Sequence, residues 1–190
     1  MLGQSSVNPS AGRGVMPRVT LILGGARSGK SRHAEATIER AAGGGLYLAT
    51  ATVGDAEMAE RVARHRERRG PQWATLEEPL EIAARLAAAN RPVLVDCLTL
   101  WLANLLHAGR DPAGESEILL AALATMPMPA VLVANEVGLG IVPENALARS
   151  FRDHAGLLHQ RIAAMADRVV LMAAGIPLAL KDAAAAEGAR

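Results

Sequence analysis

Apolar residues in this chain come in short blocks separated by longer amphipathic stretches. Residues 19–23, 46–50, 92–96, 130–134 and 168–173 are aliphatic and rich in valine, isoleucine and leucine. Near-continuous apolar runs of this length read as strands buried on both faces. Between them lie helix-forming stretches at 31–41, 55–69, 79–89, 98–107, 115–125 and 143–166. In the last of these, Leu147, Phe151, Ala155, Leu158, Ile162 and Met165 recur at threes and fours, a stripe expected to face the sheet. Met58, Val62 and His65 share a helix face by the same spacing. Gly43-Gly44-Gly45 and Gly70-Pro71 stop helices, and Pro79 suits a first turn. Residues 73–77 read as extended, with room for a short strand. Residues 178–181, after the Gly175-Ile176-Pro177 turn, read as an antiparallel edge strand. Strands alternating with helices predict an α/β fold of three layers with a mostly parallel sheet. Residues 18–181 form one domain in this reading. Residues 1–17, without periodicity, read as a flexible extension, and 182–190 as a loose tail.

Composition narrows the class. Of 190 residues, 51% are hydrophobic, yet the aromatics are only Tyr47, Trp73, Trp101 and Phe151. That suits helices on a sheet and argues against a stacking platform for single-stranded nucleic acid. A net charge of +1 gives no field favouring nucleic acid or a membrane surface. One cysteine, Cys97, permits no internal disulfide and no cysteine-rich zinc site, and fits a reducing, cytoplasmic setting. No apolar run reaches the roughly 18 residues of a membrane span, and the N-terminus has no apolar signal-peptide core.

The chemistry begins at Gly24-Gly25-Ala26-Arg27-Ser28-Gly29-Lys30-Ser31, which fits the phosphate-binding pattern G-x-x-x-x-G-K-[ST]. A strand precedes it and a helix follows, as the motif requires. Backbone amides at the helix N-terminus would face phosphates, Lys30 would reach the β- and γ-phosphates, and the Ser31 hydroxyl would bind Mg²⁺. Asp96 ends an apolar strand, where a second carboxylate holds the Mg²⁺ shell in such enzymes. These residues point to a Mg²⁺-dependent nucleoside triphosphate enzyme or switch and name no acceptor.

His65 stands among Arg61, Arg64, Arg66, Arg68 and Arg69. A neutral imidazole can attack phosphorus, and guanidinium groups bind polyphosphates. The same pattern also describes a helix-face histidine beside solvated arginines. His33, His107, His154 and His159 read as packing or surface groups.

Several stretches together are familiar. They are Gly24 to Arg32, Tyr47-Leu48-Ala49-Thr50, Glu57-Met58, Arg61, His65-Arg66, Trp73, Thr75 and Glu77. Asn135 to Asn145 follows, then Arg149, Phe151 and Asp153. This set resembles the bifunctional adenosylcobinamide kinase / adenosylcobinamide-phosphate guanylyltransferase family of cobalamin assembly, from about residue 18 to 181. The resemblance implies phosphorylation of adenosylcobinamide by ATP or GTP, then transfer of GMP from GTP to the new phosphate. It implies His65 as the carrier of a covalent GMP. Nucleotide contacts would fall on Gly24 to Ser31, on Ala49, Thr50 and Ala51, on Arg66, Glu67, Arg68 and Arg69, and on Glu77 and Asp96. It also implies a RecA-like fold with one antiparallel edge strand, and a homotrimer. The extension at 1–17 is longer than is usual in the family.

Two other readings compete. A small-molecule or nucleotide kinase explains the phosphate loop and Asp96 but leaves His65 idle. A non-catalytic RecA-like nucleotide module predicts binding without turnover. No N-K-x-D guanine motif is present, so guanine preference rests on the resemblance. The turn at 138–145 is a candidate for holding the corrin ring and equally for capping the long helix.

Overall fold

A computed structural model describes residues 16–51 and 70–183. The strands are β1 (Val19–Gly24), β2 (Leu46–Ala49), β3 (Ala74–Glu77), β4 (Val93–Asp96), β5 (Ala130–Asn135), β6 (Arg168–Ala173) and β7 (Ile176–Asp182). The helices are α1 (Lys30–Ala42), α2 (Ile82–Ala87), α3 (Leu98–His107), α4 (Pro112–Thr125) and α5 (Ala146–Met165). The strands form one sheet in the order β3-β2-β4-β5-β1-β6-β7. All neighbours pair in parallel except β6 and β7. The expected α/β architecture, antiparallel edge included, is therefore the observed one. The predicted helix over 55–69 lies outside the described residues.

The inner strands are buried on both faces because they carry apolar residues at successive positions, whereas edge strand β3 is partly and edge strand β7 largely exposed. One face packs Leu21, Leu48, Val95 and Leu132 against α2, α3, α4 and α5. The other packs Ile22, Leu94, Val131 and Val133 against Ala34 and Ile38 of α1. The indole N–H of Trp73 donates to Glu39 Oε1 of α1 at 2.9 Å, and its ring meets that of Tyr47 edge-on at 6.5 Å.

Several boundaries differ from expectation: the helix expected over 115–125 begins at Pro112, and the edge strand expected over 178–181 runs Ile176–Asp182. The helix expected from Pro79 begins at Ile82. Glu78 is the reason: its Oε1 accepts from the amides of Leu80 and Glu81, and its Oε2 from Arg85 Nε. Burial pushes this carboxylate up, but those amides and Arg85 hold it below its ordinary range. The helix expected over 143–166 starts at Ala146, because Asn145 Oδ1 accepts from Ala148 N at 2.7 Å as its cap. Its stripe also loses a member. Ala155, Leu158 and Ile162 are buried, whereas Leu147, in the first turn, is 60% exposed. His159 joins the buried face instead.

Main-chain close approach requires Gly44 and Gly45. A Cβ on Gly44 would lie 2.4 Å from Gln72 O, and on Gly45 2.5 Å from Pro92 O. Gly43, in the left-handed region at φ 79°, ends α1 and donates its N–H to Glu39 O.

The ends of β2 and β4 are tied by Thr50, which is fully buried. Its amide donates to Asp96 O, and its hydroxyl accepts from Cys97 N at 2.7 Å and donates to Cys97 O at 2.8 Å. Asn104 Nδ2 closes the bracket on Thr50 O at 2.8 Å. Thr50→Val keeps the shape but leaves the buried Cys97 amide unpaired, an expected loss of about 1–3 kcal/mol. Thr50→Ser should recover most of it, both measured by urea unfolding.

Burial lowers the pKa of His159 from 6.5, against the opposing charge of Glu136. Burial, then Arg40 and Arg168, lower that of His33. The unfolded imidazoles therefore take up protons that the folded ones resist. Stability is full above pH 6.5 and is lost as pH falls through the depressed folded values. His159→Leu is expected to remove part of that acid loss, measured as the difference in unfolding free energy between about pH 7.5 and about pH 5.5.

Candidate active site

The parallel register brings five strand ends to one rim. Gly24 pairs with Asn135, Asp96 with Val133, Ala49 with Asp96, and Ala49 with Glu77. Open parallel sheets bind ligands at this carboxyl edge.

Residues 24–31 leave β1 and enter α1 there. Gly24 has φ 150°, and a Cβ on it would stand 2.5 Å from Met172 O and 2.8 Å from Ser28 Oγ. Only glycine fits. Arg27 takes φ 55° and Gly29 φ 96°. The loop is pinned from both sides. Glu136 N donates to Gly24 O at 3.1 Å, and Gly175 N to Ser28 O at 3.1 Å. Gly25, Ala26 and Arg27 are exposed, Ser28 and Lys30 are buried, and Ser31 is half-buried. Lys30 Nζ donates to Gly25 O at 2.6 Å across the loop.

No side chain caps α1 at Gly29. Asp111 caps α4 and Asn145 caps α5 through their side chains, whereas α2 and α3, like α1, have no side-chain cap. The first-turn amides of α1 have no intrahelical acceptors, so they present partial positive charge to the loop interior. Ser28 Oγ is buried there without a hydrogen-bond partner.

Asp96 is half-buried at the end of β4. It lies on the α1 side of the sheet, in alternation with Leu94. β5 separates its strand from β1, so the acid stands two strand spacings, about 10 Å, from the phosphate loop. Tyr47 OH donates to its Oδ2 at 2.6 Å and fixes the carboxylate's orientation. Among the described residues no group of three or more His, Cys, Asp or Glu could hold a metal ion. Mg²⁺ in phosphate-loop sites needs no such group, because one hydroxyl, one acid, waters and the nucleotide itself supply its oxygens. Ser31 and Asp96 fit that donor set.

The other expected contacts are spread along the rim. Ala49 is buried, Thr50 is spent in the bracket to Cys97, and Ala51 is half-buried beside it. Glu77 is exposed at the end of edge strand β3, four strand spacings or roughly 19 Å from β1. It can serve only the part of a ligand remote from the phosphates. His65, Arg66, Glu67, Arg68 and Arg69 lie outside the described residues.

Two residues of the matching set had no role assigned from the sequence. Tyr47 and Asn135 bear on Asp96 and its neighbours. Asn135 Nδ2 donates to Thr99 Oγ1 at 3.1 Å, and Thr99 in turn meets Cys97 Sγ at 3.1 Å. Burial, then the Asp96 charge, push the Cys97 thiol up, so it stays a neutral packing group. The signal available was positional: Tyr47 and Asn135 each sit at or near a strand's carboxyl end.

Comparison with known proteins agrees with this geometry. The flagellar accessory protein FlaH from Methanocaldococcus jannaschii superposes with a TM-score of 0.52 at 11% identity, covering 90% of this chain and 81% of that one. That likeness shows the fold alone. The bifunctional adenosylcobalamin biosynthesis protein CobP of Pseudomonas aeruginosa is 53% identical over 167 residues, 85% of this chain and 96% of its own. CobU of Salmonella typhimurium, with the same bifunctional description, is 44% identical over 179 residues, 85% of this chain and 98% of its own. Residues 20–180 match the family described as CobU, cobinamide kinase / cobinamide phosphate guanyltransferase. With its phosphate loop, uncapped helix and rim acid inside that matched span, the chain belongs to this family.

Proposed function

We propose that this protein performs both reactions of its family description at the rim of β1, β4 and β5. Adenosylcobinamide is phosphorylated by ATP or GTP, and the product then receives GMP from GTP. The observation that carries the reading is the conjunction of an uncapped glycine-loop helix with a family match over residues 20–180.

In the first step the acceptor hydroxyl attacks the γ-phosphorus. The bond from phosphorus to the β-bridging oxygen breaks, the nucleoside diphosphate leaves, and the hydroxyl proton passes to solvent. Gly24 to Ser31 hold the triphosphate through main-chain amides, and Lys30 swings from Gly25 O to the β- and γ-phosphates. Ser31 and Asp96 would hold Mg²⁺, whose chemistry there would be neutralisation of charge on the leaving group. Tyr47 holds Asp96 for that duty.

In the second step an imidazole nitrogen of His65 attacks the α-phosphorus of GTP, and pyrophosphate leaves into the phosphate loop. The cobinamide phosphate oxygen then attacks the same phosphorus, the P–N bond breaks, and His65 is restored. Splitting the transfer in two lowers each barrier. Arg66, Glu67, Arg68 and Arg69 would meet the nucleotide beside it. Glu77, with Ala49, Thr50 and Ala51, would line the remote end of the rim.

The reading includes a cytoplasmic location and a homotrimer. No helix among the described residues is long and apolar enough to cross a membrane. Support for self-association comes from β7, an edge strand on which Ile176, Leu178 and Leu180 are each more than half exposed.

Incubation with α-labelled GTP tests the function. An acid-labile, alkali-stable label mapped to His65 is the expected result. No label on folded protein would leave only a kinase. His65→Ala should abolish guanylylation while much kinase activity survives. Lys30→Ala should depress both activities by about two orders of magnitude or more, since both reactions seat a triphosphate on the loop.

A further inference from the structure

The segment between β5 and α5 exposes apolar side chains at a place that does not need them for folding. Leu139 is 88% exposed, Ile141 97% and Val142 59%. Val137 packs against the core and anchors the segment. The exposure belongs to a braced loop. Gly138 N donates to Glu136 Oε1 at 2.6 Å, Asn145 caps α5, and Arg149 Nη1 donates to Pro143 O at 3.0 Å and also to Glu144 O. Water contact with three large aliphatic side chains held this way is unfavourable unless something covers them.

The loop's address says what covers them. It leaves β5 directly beside the phosphate loop: Asn135 is the register partner of Gly24, and Glu136 N donates to Gly24 O. Whatever accepts the γ-phosphoryl group must approach across this edge. From Val137 to Val142 the loop carries no charge. It therefore suits a large, flat ligand whose rim bears methyl groups and uncharged amides, which is the chemistry of a corrin macrocycle.

We propose that Leu139, Ile141 and Val142 form the docking surface for the corrin ring of the acceptor, holding its alcohol arm toward the phosphate loop. This subsite rests on the functional reading above. It gives the 138–145 turn a ligand role in addition to capping α5. Nothing in it involves the GMP-transfer half-reaction on the protein itself, which needs only GTP.

That separation supplies the experiment. Ile141→Asp and Ile141→Leu are prepared in the full chain. KM for adenosylcobinamide, KM for GTP, labelling by α-labelled GTP, and mass by light scattering are measured for each. Ile141→Asp is expected to raise the adenosylcobinamide KM by about tenfold or more. Labelling, the GTP KM and the mass should not change, and Ile141→Leu should restore the corrinoid KM. An unchanged corrinoid KM in Ile141→Asp overturns the subsite while the functional reading stands. A drop in mass accompanying the loss overturns it too, because the loop would then be a contact between copies of the chain. Absence of both labelling and cobinamide phosphorylation in the unsubstituted protein defeats the functional reading instead.

Discussion

Everything at the rim depends on the first turn of α1 being left without a side-chain cap. A side-chain acceptor can satisfy a helix N-terminus, as Asp111 does for α4 and Asn145 for α5. At α1 the position is Gly29, with φ 96° and nothing to offer. The amides stay directed at the loop interior, where a polyphosphate can take the place of a cap. The fold tolerates this because the loop is held elsewhere. Glu136 and Gly175 donate to its carbonyls from two neighbouring loops, and Lys30 bridges it.

A second constraint keeps the acid in register with that anion site. Asp96 cannot drift, because β4 is bonded to β5 on one side and to β2 on the other. Beyond the last ladder bond, Thr50 grips the Cys97 backbone and Asn104 grips Thr50. Tyr47 then sets the carboxylate itself. Thr50 and Tyr47 are buried, Asp96 and Asn104 half-buried, and each has its partner, so the arrangement is rigid. The distance from acid to phosphate loop is thus a property of the sheet, fixed by one intervening strand.

The two ends of the rim differ in character. At the phosphate end the loop is glycine-rich and pinned, and next to it the 138–145 segment displays aliphatic side chains. Toward β3 the rim becomes acidic, with Glu77 exposed and Glu78 turned onto the Leu80 and Glu81 amides ahead of α2. A nucleotide laid along this edge would have its phosphates at one end and an apolar acceptor surface close by. A phosphoryl donor and a bulky acceptor can therefore meet without occupying the same part of the rim.

Much of this was legible in the residues alone. Apolar runs of strand length, separated by helical stretches, specified a parallel sheet, because only strands covered on both faces read that way. The glycine-loop pattern named the nucleotide chemistry, since its residue types act through main-chain and local geometry. Helix starts were less legible. Glu78, which ties the Leu80 and Glu81 amides ahead of α2, and Asn145, which caps α5, moved two of them, and Leu147 left the apolar stripe because it lies in the first turn of α5. Only the tertiary structure decided which strands are neighbours, and hence that Tyr47 meets Asp96 and that Thr50 faces inward to Cys97. Those pairings join residues 47–49 positions apart, and no local periodicity records a contact made across a sheet.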